Sequence, residues 1–248
     1  LHANDYLMYA YLQTGQDSAA ARVLAALPAL AARYDPNGPT TGAPPAAAYF
    51  AMAAIPARYA LERGDWSSAA KLEVRQTAFP FADAITWFAR GIGAARMGDT
   101  VLSADAVRQL EQLRDALTQR KEAYWSQQVE IQRRGVEAWR AFARSARAEA
   151  LSAMRATADL EAATEKNAIT PGPIVPAREL LGEMLLASGD ARAAYKEFEG
   201  TLVTEPRRYR AVAGAMRSAK AAGDTAAAER YAAQLAQLSE HGDRVAPR

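Results

Sequence analysis

PARELLGEMLLASGDARAAYKEFEGTLVTEPRR, residues Pro176 to Arg208, reads as one complete helix-turn-helix unit whose landmarks stand at fixed offsets from Gly189. Gly182, seven residues before it, lies where two helices must approach closely, because glycine has no Cβ to hold the backbones apart. Ala194, five after, lies where the second helix meets the first. Phe198 is nine after Gly189 and Pro206 is seventeen after, at a point where a helix has to stop. Leu181, Leu185, Ala194 and Phe198 are the expected interface between the two helices.

The unit recurs. Gly189 and Gly223 stand 34 residues apart, as do Gly64 and Gly98. Ala228 and Ala69 again fall five after their glycines, and Gly91 falls seven before Gly98. Gly15 in TGQDSAAA, with Leu7 and Tyr11 before it and Ala20 after, makes a further unit; a degenerate one fits around Ser145, between Ala141 and Ala150. The pattern resembles the tetratricopeptide (TPR) repeat, a helix pair of about 34 residues. That resemblance implies an all-α fold, a right-handed α-solenoid of about six TPR-like antiparallel helix pairs running as one body through residues 1–248.

Composition agrees with helices. Half of the residues are hydrophobic but only 8% are aromatic, and alanine, the strongest helix former, sets the character of most segments. No run alternates apolar and polar residues long enough to be a strand. Helix-breaking clusters place interruptions at about 34–46, in YDPNGPTTGAPPAAA, and at 167–176, in NAITPGPIVP. Between the breaks, the spacing predicts pairs at Ala3–Gln13 with Asp17–Ala32, Ala46–Leu61 with Ser67–Thr77, and Ala82–Met97 with Leu102–Arg120. Lys121–Lys166 should hold two helices joined near Ser145, and Tyr209–Ala222 with Thr225–Ser239 the last pair. Leu7, Tyr11, Val23, Leu24 and Leu27 are the expected stripe of the first pair, with Asp17 capping its second helix. Trp87, Phe88, Ile92, Leu110, Leu113 and Leu117 are expected in the core, and the terminal HGDRVAPR as a frayed end.

A closer resemblance is carried by HANDYLMYAYLQTGQ at 2–16, AYWSQQVEIQR at 123–133 and ATEKNAITPGPIVPARELLGEMLLASGD at 163–190. These stretches resemble the C-terminal part of a group of large bacterial TPR-containing proteins of unassigned function. The resemblance implies further repeats upstream, often with an export signal, and agrees with a chain that opens on Leu1 inside an apparent helix. It implies no activity.

The chemistry in the residues is sparse. A formal net charge of +2 is not the field of a nucleic-acid-binding protein. There is no cysteine, hence no disulfide or thiolate zinc site, and no apolar run long enough to span a membrane. No phosphate-cradling loop, GxSxG or HExxH occurs, and nothing calls for a cofactor. One alternative is a metal or enzymatic site using His2 and Asp5, three apart on a helix, completed by Glu130 or by residues upstream. The leading expectation is a protein-interaction scaffold. In TPR arrays the first helix of each pair lines a concave groove, and here those helices offer Arg210, Arg217 and Lys220 on one face and Glu179 and Glu183 on another. The expected partner is an acidic peptide segment or C-terminal carboxylate. The acidic pair stands where chaperone-tail-binding TPR domains carry the basic and amide groups of a carboxylate clamp, so that particular ligand is not expected.

Overall fold

The computed structural model describes residues 1–38 and 43–244. Among them are twelve helices and no strand: α1 His2–Gln13, α2 Asp17–Ala32, α3 Pro45–Glu62, α4 Trp66–Ala70, α5 Pro80–Arg96, α6 Thr100–Gln119, α7 Ala123–Ala143, α8 Arg147–Ala162, α9 Ala177–Ala187, α10 Ala191–Thr204, α11 Tyr209–Ala221 and α12 Thr225–Leu238. The chain is therefore all-α. The two expected interruptions are the α2–α3 and α8–α9 connections; residues 39–42 of the first lie outside the described residues. None of the described helices is long and apolar enough to cross a membrane.

All six turns within the pairs are built alike. Gly15, Gly64, Gly98, Ser145, Gly189 and Gly223 each have positive φ, between 65 and 88°. The next residue's N–H then reaches back to a carbonyl five positions earlier, as in Asp65 to Ala60 and Asp190 to Leu185, at 2.9–3.1 Å. This closes the helix end with its last carbonyls satisfied. In four turns an aspartate follows the glycine and accepts amides of the next helix: Asp65, Asp99, Asp190 and Asp224. Gly-Asp is thus a stop signal and a start signal in adjacent residues. At Ser145 a residue with a Cβ holds the left-handed conformation, and Ala146 supplies no cap. The geometry survives there although the signature does not.

Phe198 shows how the pairs stack. It is fully buried, as are Leu181 and Ala194, with Leu185 at 3% exposure. A Cβ added at Gly182 would stand 3.0 Å from the Phe198 ring, and one added at Gly214 only 2.4 Å away. Two bare stretches of backbone, on α9 and α11, therefore accept one aromatic ring from α10.

Successive helices pack on their neighbours, and the odd-numbered ones form a second series: α1 on α3, α3 on α5, α5 on α7, α7 on α9 and α9 on α11. The series returns to its start, because α11 also packs on α1. Tyr209 N–H donates to Gln13 Oε1 at 2.8 Å, and the N–H groups of Asp243 and Arg244 both donate to Gly15 O at 2.9 Å. Arg244 then pairs with Asp17 at 2.5 Å. The expected frayed end is instead, through Arg244, the seal of a closed ring; residues 245–248 lie outside the described residues.

Three further expectations are corrected. The second helix of the second pair ends at Ala70 rather than Thr77. Pro80 opens α5 and restricts the residue before it, while Asp83 accepts both the N–H and the hydroxyl of Thr77, and Arg90 donates to Leu72 O. These tertiary hydrogen bonds replace the helical ones. On α1 the buried stripe is Asp5, Met8 and Leu12, whereas Leu7 is 45% exposed, because the helix turns Asp5 inward. Asp17 is the first residue of α2, not its cap, and its carboxylate serves Arg244.

Candidate functional site

Inside the ring, charge is buried on a scale that an alanine-rich array does not need for packing. Arg58, the one charged residue of the apolar run Pro45–Leu61, is completely buried. Its Nε donates to Asp5 Oδ1 at 2.8 Å, and its Nη groups donate to Pro173 O, Thr170 Oγ1 and Gly172 O at 2.8–2.9 Å. The guanidinium therefore ties α1 and α3 to the α8–α9 connection. Arg208, 1% exposed, donates to Glu62 at 2.5 Å and to Glu179 at 2.6 Å, so it joins α3 to α9. Arg210 donates to Glu179 at 2.8 Å, and also to Glu183 and Leu61 O. Arg96 takes the other side of Glu183.

The electrostatics follow from this pairing. Burial alone would raise the Glu183 pKa, but Arg210 and Arg96 outweigh it and hold the carboxyl below its usual range. Burial opposes charge on Arg208 and Arg210 too, and their glutamates overcome it, leaving both firmly protonated. Such pairs stabilise little relative to an apolar core, yet breaking one leaves an uncompensated buried charge. Their arrangement specifies which helices meet.

Sequence reasoning placed Glu179, Glu183 and Arg210 on open groove faces. Glu179 is fully buried and Arg210 is 8% exposed, because each is the other's counter-ion. Only part of the predicted cationic face stays available: Lys220 is exposed, and Arg217 is half-buried with a single 3.4 Å contact to its own helix carbonyl, Ala213 O. Arg58, Arg208, Glu62 and Arg96 were missed. A lone charge in an apolar helix, as at Arg58, is the signal that would have found the first of them.

The alternative metal set does not assemble. Asp5 is committed to Arg58, and Glu130 accepts from Arg114, Arg133 and Arg134 on the α6–α7 surface. Among the described residues no group of three His, Asp or Glu side chains converges to hold a metal.

Among the open recesses of the described residues, two lie at opposite ends of α3 and α5. One, of about 660 Å³, lies where α3, α5 and α9 end and α11 begins. Arg63, Arg96, Arg210, Arg217 and Arg244 line it, against the carboxylates Asp17, Glu62 and Glu183. Trp66 forms its aromatic wall, with the Arg96 guanidinium 4.3 Å and the Arg210 guanidinium 5.5 Å from the ring centre. The other recess, of about 310 Å³, lies where α3, α5 and α7 begin, and is walled by Phe50, Phe81 and Trp125.

No protein-family model matches the chain, and no curated protein or solved structure matches it significantly.

Proposed function

We propose that the chain is a right-handed TPR-like α-solenoid drawn into a closed ring, part of a larger bacterial TPR-containing protein, and that it serves as a protein-interaction scaffold. Its ligand is an acidic segment or C-terminal carboxylate of a partner protein, received in the arginine-lined cleft. The observation that carries this reading is Arg217: among the described residues it is the guanidinium lining the cleft that has no carboxylate within ion-pair distance. Arg63 adds spare donors, since it reaches Asp17 only through Nε at 3.4 Å. Lys220, three residues from Arg217 on α11, extends the same charge to the surface. The acids of the cleft are already neutralised by Arg208, Arg96, Arg210 and Arg244, so an incoming carboxylate meets net positive charge.

Exposed ion pairs contribute only about 0.2–1 kcal/mol each, so these groups select a partner more than they fix its affinity. A preformed cleft also spares the partner the cost of reorganising its site. The test is fluorescence anisotropy at low salt with a labelled Glu-rich decapeptide, carrying either a free or an amidated C-terminus, and a Lys-rich control. The wild-type chain should prefer the acidic peptides, most strongly the free carboxylate, and Arg217→Glu with Lys220→Glu should abolish the preference. Equal binding of acidic and basic peptides, or an unchanged preference in the double variant, removes the reading.

A further inference from the structure

The smaller recess reverses the charge logic of the rest of the ring. Asp5, Glu62, Glu179 and Glu183 each face an arginine. Glu161, at the end of α8, lines the 310 Å³ recess together with Glu205 and Glu165, and among the described residues none of the three has an ion-pair partner. Glu161 Oε2 accepts only the Ala177 N–H, at 2.6 Å, and Glu205 accepts the Tyr9 hydroxyl at 3.4 Å. The two cations on the lining are spent elsewhere. Arg178 donates to Glu197 at 2.7 Å and lies 3.7 Å from Asp159, while Lys166 Nζ donates to Pro171 O at 2.8 Å.

The groups facing Glu161 from neighbouring elements are Arg208, already bonded to Glu62 and Glu179, and the acids Glu205 and Glu179. Burial, reinforced by those acids, pushes the Glu161 carboxyl up to about 7 against the pull of Arg208 and the Ala177 N–H. Gln132 Oε1, on the same lining, is a buried acceptor with no donor among the described residues. The same lining carries an aromatic wall. Trp125 stacks on Phe81 with ring centres 4.1 Å apart and planes 12° apart; Phe50 lies 6.2 Å from Trp125.

We infer that this recess binds an organic cation, an ammonium or guanidinium group carried on an apolar body, with Glu161 as its counter-ion and Trp125 and Phe50 as its wall. The ligand supplies what the chain supplies to Asp5, Glu62, Glu179 and Glu183, an N–H-bearing cation beside a carboxylate that is partly withdrawn from water. The aromatic rings accept the apolar body and the face of the charge. At about 310 Å³ the space is at the lower end for a small-molecule pocket, enough for a single amine or for one lysine or arginine side chain of a partner. This assignment does not depend on the arginine-lined cleft, which lies at the other end of the helices.

Isothermal titration at pH 8 and low salt tests it with three probes: phenethylamine, the uncharged 2-phenylethanol, and the blocked tripeptide acetyl-Gly-Lys-Gly-amide. Phenethylamine should bind with Kd below about 1 mM and at least about tenfold more tightly than 2-phenylethanol. Glu161→Gln keeps the acceptor for Ala177 but loses the charge, and should weaken phenethylamine about tenfold or more with its circular dichroism unchanged. Lowering the pH from 8 to 5 protonates Glu161 and should weaken binding to a similar degree, an effect absent in Glu161→Gln. Trp125→Leu is the second variant, expected to weaken the amine several-fold. Tripeptide binding as tight as the amine assigns the site to a partner's side chain; amine binding without tripeptide binding assigns it to a free small molecule. Equal binding of amine and alcohol, unchanged affinity in Glu161→Gln, or no saturation by about 10 mM amine overturns the inference.

Discussion

The two ends of the ring are built from the same kind of helix yet treat buried charge in opposite ways. At the end lined by Arg96, Arg210 and Arg217, every acid facing the cleft among the described residues has an arginine, and cationic donors are left over. At the end walled by Trp125, the acids are left over. The interior between them is matched: Arg58 with Asp5, Arg208 with Glu62 and Glu179. In a fold that compensates its buried charges so consistently, the places where compensation stops are the places with chemistry to spare.

That contrast can be broken in order of expected effect. Arg208→Ala should be the most damaging single change, since it strands the buried Glu62 and leaves Glu179 with Arg210 alone; a loss of about 3–5 kcal/mol in urea denaturation is expected. Phe198→Ala sets the apolar standard for comparison, at about 3–5 kcal/mol for a fully buried ring seated on two glycines. If Arg208→Ala melts like wild type, the interior is wetter than drawn and the contrast between the two ends loses its basis.

Next comes Glu161. Its folded-state pKa, about 7, is raised above its unfolded value, so the folded chain holds a proton that the unfolded chain releases. Stability should therefore fall as pH rises from about 4.5 through 7 and level off above. The recess is open to water, so the effect is on the order of 1–2 kcal/mol. Comparing denaturation of wild type and Glu161→Gln at pH 5 and pH 8 measures it. No difference between the two chains across that range would mean that Glu161 is solvated and the acidic end unremarkable.

Smaller still is the seal between the first and last turns. Asp17→Asn weakens the Arg244 pair, 10% and 20% exposed on its two sides, and should cost about 0.5–1 kcal/mol. Amide exchange should quicken mainly in α1 and α2, where a global rise would show that the ring opens only as a whole. Lys220→Glu, on the exposed rim, should shift stability by less than about 0.5 kcal/mol while altering acidic-peptide binding; a larger stability change would mean that Lys220 is structural.

The turns were the most legible part of the molecule. Gly64-Asp65, Gly98-Asp99, Gly189-Asp190 and Gly223-Asp224 each ended one helix and capped the next where the repeat spacing put them. The turn at Ser145 was found by spacing alone. The candidate site was legible only in its types of residue. Glu183, Arg210 and Arg217 do line one end of the ring, with Glu179 behind them, but Glu179, Glu183 and Arg210 stand as partners of one another more than as an open face, because i, i+3 and i, i+4 spacing shows which side chains share a helix face and not what lies opposite. Asp5 was noticed as half of a metal pair when its isolation on an apolar helix face pointed equally well to a buried counter-ion. Glu161, the group that sets the two ends apart, carried no sequence signal at all.

By itself the sequence determined the all-helical character, the six paired units and the positions of their turns, since each rests on hydrogen bonds and packing between residues a few positions apart in the chain. Tertiary structure alone decided that α4 stops at Ala70, that the last residues close on the first turn, and which charges are satisfied. Those outcomes depend on pairs such as Arg58 with Asp5, 53 residues apart, and Arg208 with Glu62, 146 apart. A buried charge is stable only where its partner arrives, and that meeting is settled by how the helices stack into a ring rather than by any local pattern.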